Sequence, residues 1–199
     1  MTGRFVAFEG GEASGKSTQA RLLAERISGV LTREPGGTPF AEMIRNLILG
    51  QHNHNVVPRA EALLIAASRA QHVEELIRPS LDANNTVVTD RYVGSSLAYQ
   101  GVARDLGVDM IRSINDWATS DLVADITILI DIPREQAWLR RPEGEPEDRL
   151  GSESEAFHIR VHDGYLELAA SEPGWVVIDG VGSVEEVADR VWGAYEQCR

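Results

Sequence analysis

Cysteine is almost absent from this chain of 199 residues, and the single Cys198 excludes both a disulfide framework and a cysteine-based metal site within it. Positive charge is also scarce. Nineteen Lys and Arg stand against 31 Asp and Glu, a formal net charge of -12. A field of that sign repels nucleic acid and anionic membranes, so neither is expected as the main partner. Any phosphate ligand must therefore find a local cluster of cations. Long hydrophobic runs are missing too: no window approaches the roughly 18 apolar residues of a membrane span. No apolar leader precedes the strand-like segment that starts after Arg4, and a cytoplasmic protein is expected. What is present is a hydrophobic content of 43%, enough for one full core, so a single domain over 1–199 is expected.

Five short apolar runs rich in β-forming residues alternate with helical patterns: Phe5 to Phe8, Val30 to Thr32, Thr86 to Thr89, Ile126 to Ile130 and Trp175 to Ile178. Each is nearly continuous in hydrophobicity, the pattern of strands covered on both faces of a parallel sheet. Between them, Ala20, Leu23 and Ile27 keep helical spacing, as do Phe40, Ile44, Leu47 and Ile48. The fold class is therefore α/β, a parallel five-stranded sheet flanked by helices. Pro58 and Pro79 bracket an Ala-rich helix, and Ser183 with Glu186 forms a capping box before the last one. One stretch breaks the composition. RRPEGEPEDRLGSESE, Arg140 to Glu155, is polar and has no apolar period, which reads as a mobile surface loop.

Behind the first apolar run stands GGEASGKST, with Gly10, Gly15, Lys16 and Ser17 fitting G-x-x-x-x-G-K-[ST]. Chance yields this pattern in about one chain of this length in a hundred. Its position between a buried strand and a helix is the one that phosphate binding requires. Glycines let backbone N–H groups turn inward, and the helix N-terminus adds positive potential. The ATP-binding loop then comprises Gly10, Gly11, Glu12, Ala13, Ser14, Gly15, Lys16, Ser17 and Thr18. Lys16 supplies a charge for the β- and γ-phosphates, and the Ser17 hydroxyl is a Mg²⁺ ligand.

Phosphoryl transfer needs in-line positioning and cations on the moving oxygens more than covalent help. Arg33 follows the second strand and Arg91 the third. Arg69 lies in the Ala-rich helix, and Arg140, Arg141 and Arg149 lie in the polar stretch. In a doubly wound sheet the carboxyl ends of the strands line the ligand crevice, so Arg33, Asp90 and Arg91 should converge near the phosphate loop.

FEGGEASGKSTQ, TREPGGTPFAEMIR, AASRAQHVEELIRP, TDRYVGSSLAYQG, DITILIDIP and DRLGSESEAFHIRVHDGYLELA follow one another in the order and spacing of the bacterial thymidylate kinases, which this chain resembles over nearly its whole length. The resemblance implies a P-loop nucleoside monophosphate kinase fold, transfer of the γ-phosphoryl group of ATP to dTMP, Mg²⁺ as cofactor and a homodimer. It gives Arg91 to the dTMP phosphate, Arg69 to a thymine carbonyl, Asp90 to Mg²⁺, and Glu12 to the sugar or the acceptor phosphate and metal. Ser96, Tyr99 and Gln100 match positions around base and deoxyribose, with the Tyr99 ring where a ribose 2′-hydroxyl would crowd it. The stretch from Arg140 to Glu155 matches a lid that closes over ATP.

The chain departs from the family in three places. Ala13 stands where one branch of the family has a catalytic arginine, which moves that role to the lid, with Arg149 first, then Arg140 and Arg141. Ile65 stands where the family usually stacks Phe on thymine. The lid carries Glu143, Glu145, Glu147 and Asp148 where relatives are often more basic. Two rival functions remain: a kinase for another nucleoside monophosphate or a deoxynucleoside, and a non-catalytic ATP-binding module. His158 and His162 have a spacing that could ligate zinc but lack a third ligand, and solvated rings are expected there and at His52 and His54.

Overall fold

The computed structural model describes residues 3–50, 56–140 and 148–198. His52, His54, Arg141, Glu143, Glu145 and Glu147 lie outside the described residues. Strands β1 (Phe5–Glu9), β2 (Val30–Arg33), β3 (Val87–Asp90), β4 (Ile126–Asp131) and β5 (Trp175–Asp179) form one sheet in the order β2-β3-β1-β4-β5. Every neighbouring pair is parallel. The chain leaves β1 in one direction to build β2 and β3, then crosses to the other side for β4 and β5. That reversal opens a crevice at the carboxyl end of β1.

Alternation along β1 sends Val6 and Phe8 to one face and Phe5 and Ala7 to the other. On the first face they meet Ala20 and Leu23 of α1 (Lys16–Ile27), and Val187 and Val191 of the C-terminal helix. On the second face Phe5 and Ala7 meet Val73, Ile77 and Tyr92. Next to this, Leu129 packs with Leu97, Phe157 and Tyr165. Helix α2 (Pro39–Leu49) is capped by the Thr38 hydroxyl and packs Ile44 and Ile48 against Ile65 of α3 (Pro58–His72). Further along come α4 (Arg78–Asp82), α5 (Val93–Ser96), α6 (Val108–Thr119), α7 (Arg134–Leu139), α8 (Glu155–Ser171) and α9 (Val184–Gln197). The capping box of Ser183 and Glu186 opens α9 as its sequence requires.

The structure corrects several expectations. Each strand runs one residue past its apolar run, ending on Glu9, Arg33, Asp90, Asp131 or Asp179. The inner strands are buried along most of their length, whereas the edge strands β2 and β5 leave Leu31 and Val177 half exposed. Pro79 does not end the Ala-rich helix. A π-helical turn (Val73–Ile77) follows α3, Arg78 N–H donates to Val73 O, and Pro79 falls in the first turn of α4, where a missing N–H costs least. The polar stretch does not stay a loop to its end, because Ser154 caps α8 and Glu155 begins it. His158 and His162 are not simply solvated either. His162 Nε2 lies 2.9 Å from Asp131 Oδ1, and His158 Nε2 lies 3.2 Å from Gly151 O.

Candidate functional site

The phosphate loop starts where β1 ends. Gly10 has φ 148° and a Cβ there would lie 2.7 Å from Ile130 O, while Gly15 caps α1 at φ 92°. This geometry turns the loop around Lys16, whose ammonium donates to Gly11 O at 3.4 Å. Burial, followed by the nearby Arg91 charge, pulls the Lys16 pKa down to about 8 against the opposing pull of Asp90, Glu9 and Glu12. The Ser17 hydroxyl donates to Asp90 Oδ2. Asp90 Oδ1 is buried and has no hydrogen-bond partner among the described residues.

Arg91 sits at φ 74°, a left-handed conformation that a bulky residue adopts only when its surroundings hold it there. Its NH1 donates to Gly10 O at 3.1 Å, Ser95 Oγ at 3.0 Å and Tyr165 Oη at 2.9 Å, and its NH2 donates to Tyr99 Oη at 3.3 Å. Burial alone would weaken its charge, but Tyr99, Tyr165, Asp90 and Glu9 hold it protonated. Glu9 lies beneath, its carboxyl pushed up by burial while it accepts from Ser95 Oγ at 2.6 Å and Tyr92 N at 3.0 Å.

Two more cations come from the segment after β2. Arg33 pairs with Glu42 at 3.1 Å, and Arg45 on α2 donates to Pro35 O at 2.8 Å. Burial and the neighbouring Arg33 and Arg91 press the Arg45 pKa below the usual guanidinium value, against the pull of Glu42 and Asp148. An anion between these cations would relieve that stress.

Arg69 of α3 is 1% exposed and nearly saturated. Its Nε donates to Glu34 Oε2 at 2.6 Å, NH1 to Ser96 Oγ at 2.7 Å and to Asn115 Oδ1, and NH2 to Tyr92 O at 2.8 Å. Of five guanidinium N–H groups, one is left. The other oxygen of Glu34 lies 2.9 Å from His72 Nδ1, and His72 Nε2 lies 2.7 Å from Thr32 Oγ1. Burial would raise the Glu34 pKa, but Arg69 and His72 hold it below the usual carboxylate range.

Glu12, Lys16, Ser17, Arg33, Ile65, Arg69, Asp90, Arg91, Ser96, Tyr99 and Gln100, all expected from the sequence, line one cavity of ≈ 280 Å³. Tyr99 and Gln100 reach it from a π-helical turn (Leu97–Ala103), a helix distortion common at functional sites. The two described lid arginines are not brought together. Arg140 donates to Ser14 O at 3.4 Å and Gly180 O at 3.0 Å, on the outer side of the phosphate loop. Arg149 donates to Ile48 O at 2.8 Å and to Glu61, on the opposite side of the cavity. Sequence reasoning missed Arg45, although it stands inside the quoted TREPGGTPFAEMIR. It also missed Glu9, Glu34, Glu61, His72 and Tyr165. All but Glu61 also stand inside quoted stretches, but their pairings cross 35 or more residues of chain, as between Arg69 and Glu34, so local pattern does not reveal the partners.

The comparisons with known proteins come to one family. The family model described as thymidylate kinase matches residues 8–191. The thymidylate kinase of Symbiobacterium thermophilum is 48% identical over 189 residues, covering 92% of this chain and 88% of that protein. The enzyme of the same name from Syntrophotalea carbinolica is 43% identical over 200 residues, covering 94% and 93%. Among solved structures, thymidylate kinase from Ehrlichia chaffeensis superposes with a TM-score of 0.79 at 30% identity, covering 98% of this chain and all of that one.

Proposed function

The chain belongs to the thymidylate kinase family and transfers the γ-phosphoryl group of ATP to dTMP, and we propose that it does so with the residues gathered around this cavity. One observation carries the proposal: in a chain of net charge -12, Lys16, Arg33, Arg45, Arg69 and Arg91 line a single cavity at the carboxyl ends of the strands. ATP lies along the loop from Gly10 to Thr18, with Lys16 on its β- and γ-phosphates. The dTMP phosphate is held by Arg91, with Arg33 and Arg45 completing the anion site. Arg91 and Lys16 then face the transferring group from the acceptor and donor sides, which is the positioning and charge that phosphoryl transfer requires. Arg69 gives its one remaining N–H to a thymine carbonyl, and Ile65 packs against the base. Tyr99 hydrogen-bonds Arg91 and so stands next to the sugar position, where it disfavours a 2′-hydroxyl. Glu12 flanks the acceptor phosphate.

Mg²⁺ fits Ser17 and Asp90, because the buried Asp90 Oδ1 is a carboxylate oxygen lacking any partner among the described residues. Bound there, it would neutralise charge on the phosphates. The lid from 140 to 155 excludes water, with Arg140 on the ATP side and Arg149 on the acceptor side. We assign the chain one kinase domain and a cytoplasmic location, where both nucleotides are found. No described helix is long and apolar enough to cross a membrane.

The test of the anion site is calorimetric titration of dTMP into the wild type, Arg45→Ala and Arg91→Ala. Each substitution is expected to weaken binding at least tenfold, since charge-assisted contacts contribute about 1.5–3 kcal/mol apiece. Unchanged affinity in both variants would contradict the assignment.

A further inference from the structure

Glu61 of α3 is wholly buried, and three side chains converge on it. Gln100 Nε2 donates at 2.8 Å, Arg104 donates from Nε at 3.3 Å and NH2 at 3.1 Å, and Arg149 donates from NH2. Burial would raise the Glu61 pKa, but the hydrogen bonds from Arg104, Arg149 and Gln100 outweigh it and hold the group ionised.

An ionised carboxylate can only accept hydrogen bonds. It cannot face the oxygen of the Gln100 amide, so the amide has one orientation open to it, NH₂ towards Glu61 and Oε1 away. Among the described residues Oε1 accepts no hydrogen bond, and Gln100 lines the cavity. Turned that way, Gln100 has its Oε1 available to a ligand as an acceptor. Arg69, in the same cavity, has one N–H to give. Thymine and uracil present the complement along one edge, an O4 acceptor next to an N3–H donor. Cytosine presents the reverse, an N4 amino donor next to a bare N3 acceptor.

We propose that Glu61 is a positioning residue for base choice: by fixing the Gln100 amide with its oxygen towards the base, it selects keto pyrimidines and rejects cytosine. The proposal rests on the dTMP reading above and deepens it. A free amide could turn over and meet the N3 of cytosine with its NH₂. Held by Glu61, it meets that atom with a lone pair, and mispaired polar groups discriminate strongly in a buried site.

The experiment is Glu61→Gln beside the wild type, reading the ratio of kcat/KM for dTMP to that for dCMP. The ratio is expected to fall at least tenfold, because the neutral amide at position 61 no longer dictates how Gln100 points. Loss of a charged partner for Arg104 and Arg149 affects both acceptors alike and cancels in the ratio. An unchanged ratio in a folded variant would overturn the proposal. A wild type without preference for dTMP would overturn the functional reading first, and this inference with it. Should the variant not fold, the wild type supplies the answer by NMR. The Gln100 side-chain NH₂ is expected to stay protected from solvent exchange with and without dTMP, whereas a pair that leaves Glu61 when dTMP binds would refute the proposal.

Discussion

We propose that protonation of Lys16 governs ATP capture. Its amine, brought to a pKa of about 8 by burial, is charged below that pH and neutral above it. The free enzyme therefore loses its phosphate-binding cation as pH rises through about 8, and kcat/KM for ATP should fall there. At saturating ATP the phosphates favour the ammonium form, so the fall in kcat should move to higher pH. Two pH profiles test this, and a kcat/KM that stays flat well above pH 8 would contradict it. Arg69 and Gln100 make a related point about single residues. Arg69 spends four of its five N–H groups on the protein, and Gln100 is oriented by one hydrogen bond to Glu61, so we propose that the partners Glu34 and Glu61 determine what the two offer a ligand.

Among the elements, we assign the chemistry to the lid and the strand ends. The two described lid arginines sit on opposite sides of the site, so their truncations should separate. Arg140→Ala is expected to raise KM for ATP about tenfold with little change for dTMP, given the loss of one charge-assisted phosphate contact. Arg149→Ala should raise KM for dTMP and lower stability by about 1–3 kcal/mol, because the buried Glu61 loses a donor. Steady-state kinetics and thermal melts check both, and an identical pattern in the two variants would remove the distinction. The strand ends explain what was legible in the sequence. Buried apolar runs marked all five strands, and the loop motif marked the phosphate site, because both are local and chemically unambiguous. Arg33 and Asp90 were legible as charges at the strand ends, whereas Glu9 was not, since a hydrophobic pattern stops at the last apolar side chain. Arg33 and Asp90 line the cavity, and Glu9 lies beneath it holding Ser95 and Tyr92. Pro79 misled for a similar reason: a proline reads as a helix end, while the π-turn before it comes from tertiary packing of Val73 and Ile77.

For the whole molecule, the acidic surface and the cationic cavity act together. We infer that the net charge opposes polyanions, while five clustered cations attract a small anion. The surface also has an apolar side. Phe40, Met43 and Leu47 on α2, Leu63 on α3, and Met110 and Trp117 on α6 are all exposed, Trp117 to 86%. Helices α2, α3 and α6 pack side by side in that order. We propose that a second copy of the chain covers this face in a homodimer. Trp117→Glu is expected to shift the protein from dimer to monomer in sedimentation, and an unchanged mass would place the interface elsewhere.

Which nucleotide accepts the phosphoryl group is decided by measuring ADP release. Wild type and Lys16→Ala would each be given Mg²⁺-ATP with dTMP, dUMP, UMP, dCMP, AMP or dGMP. Strong preference for dTMP is expected, abolished by the substitution, which would also show that Ile65 suffices beneath the base. Preference for another acceptor, or ADP release independent of any acceptor, would contradict that expectation.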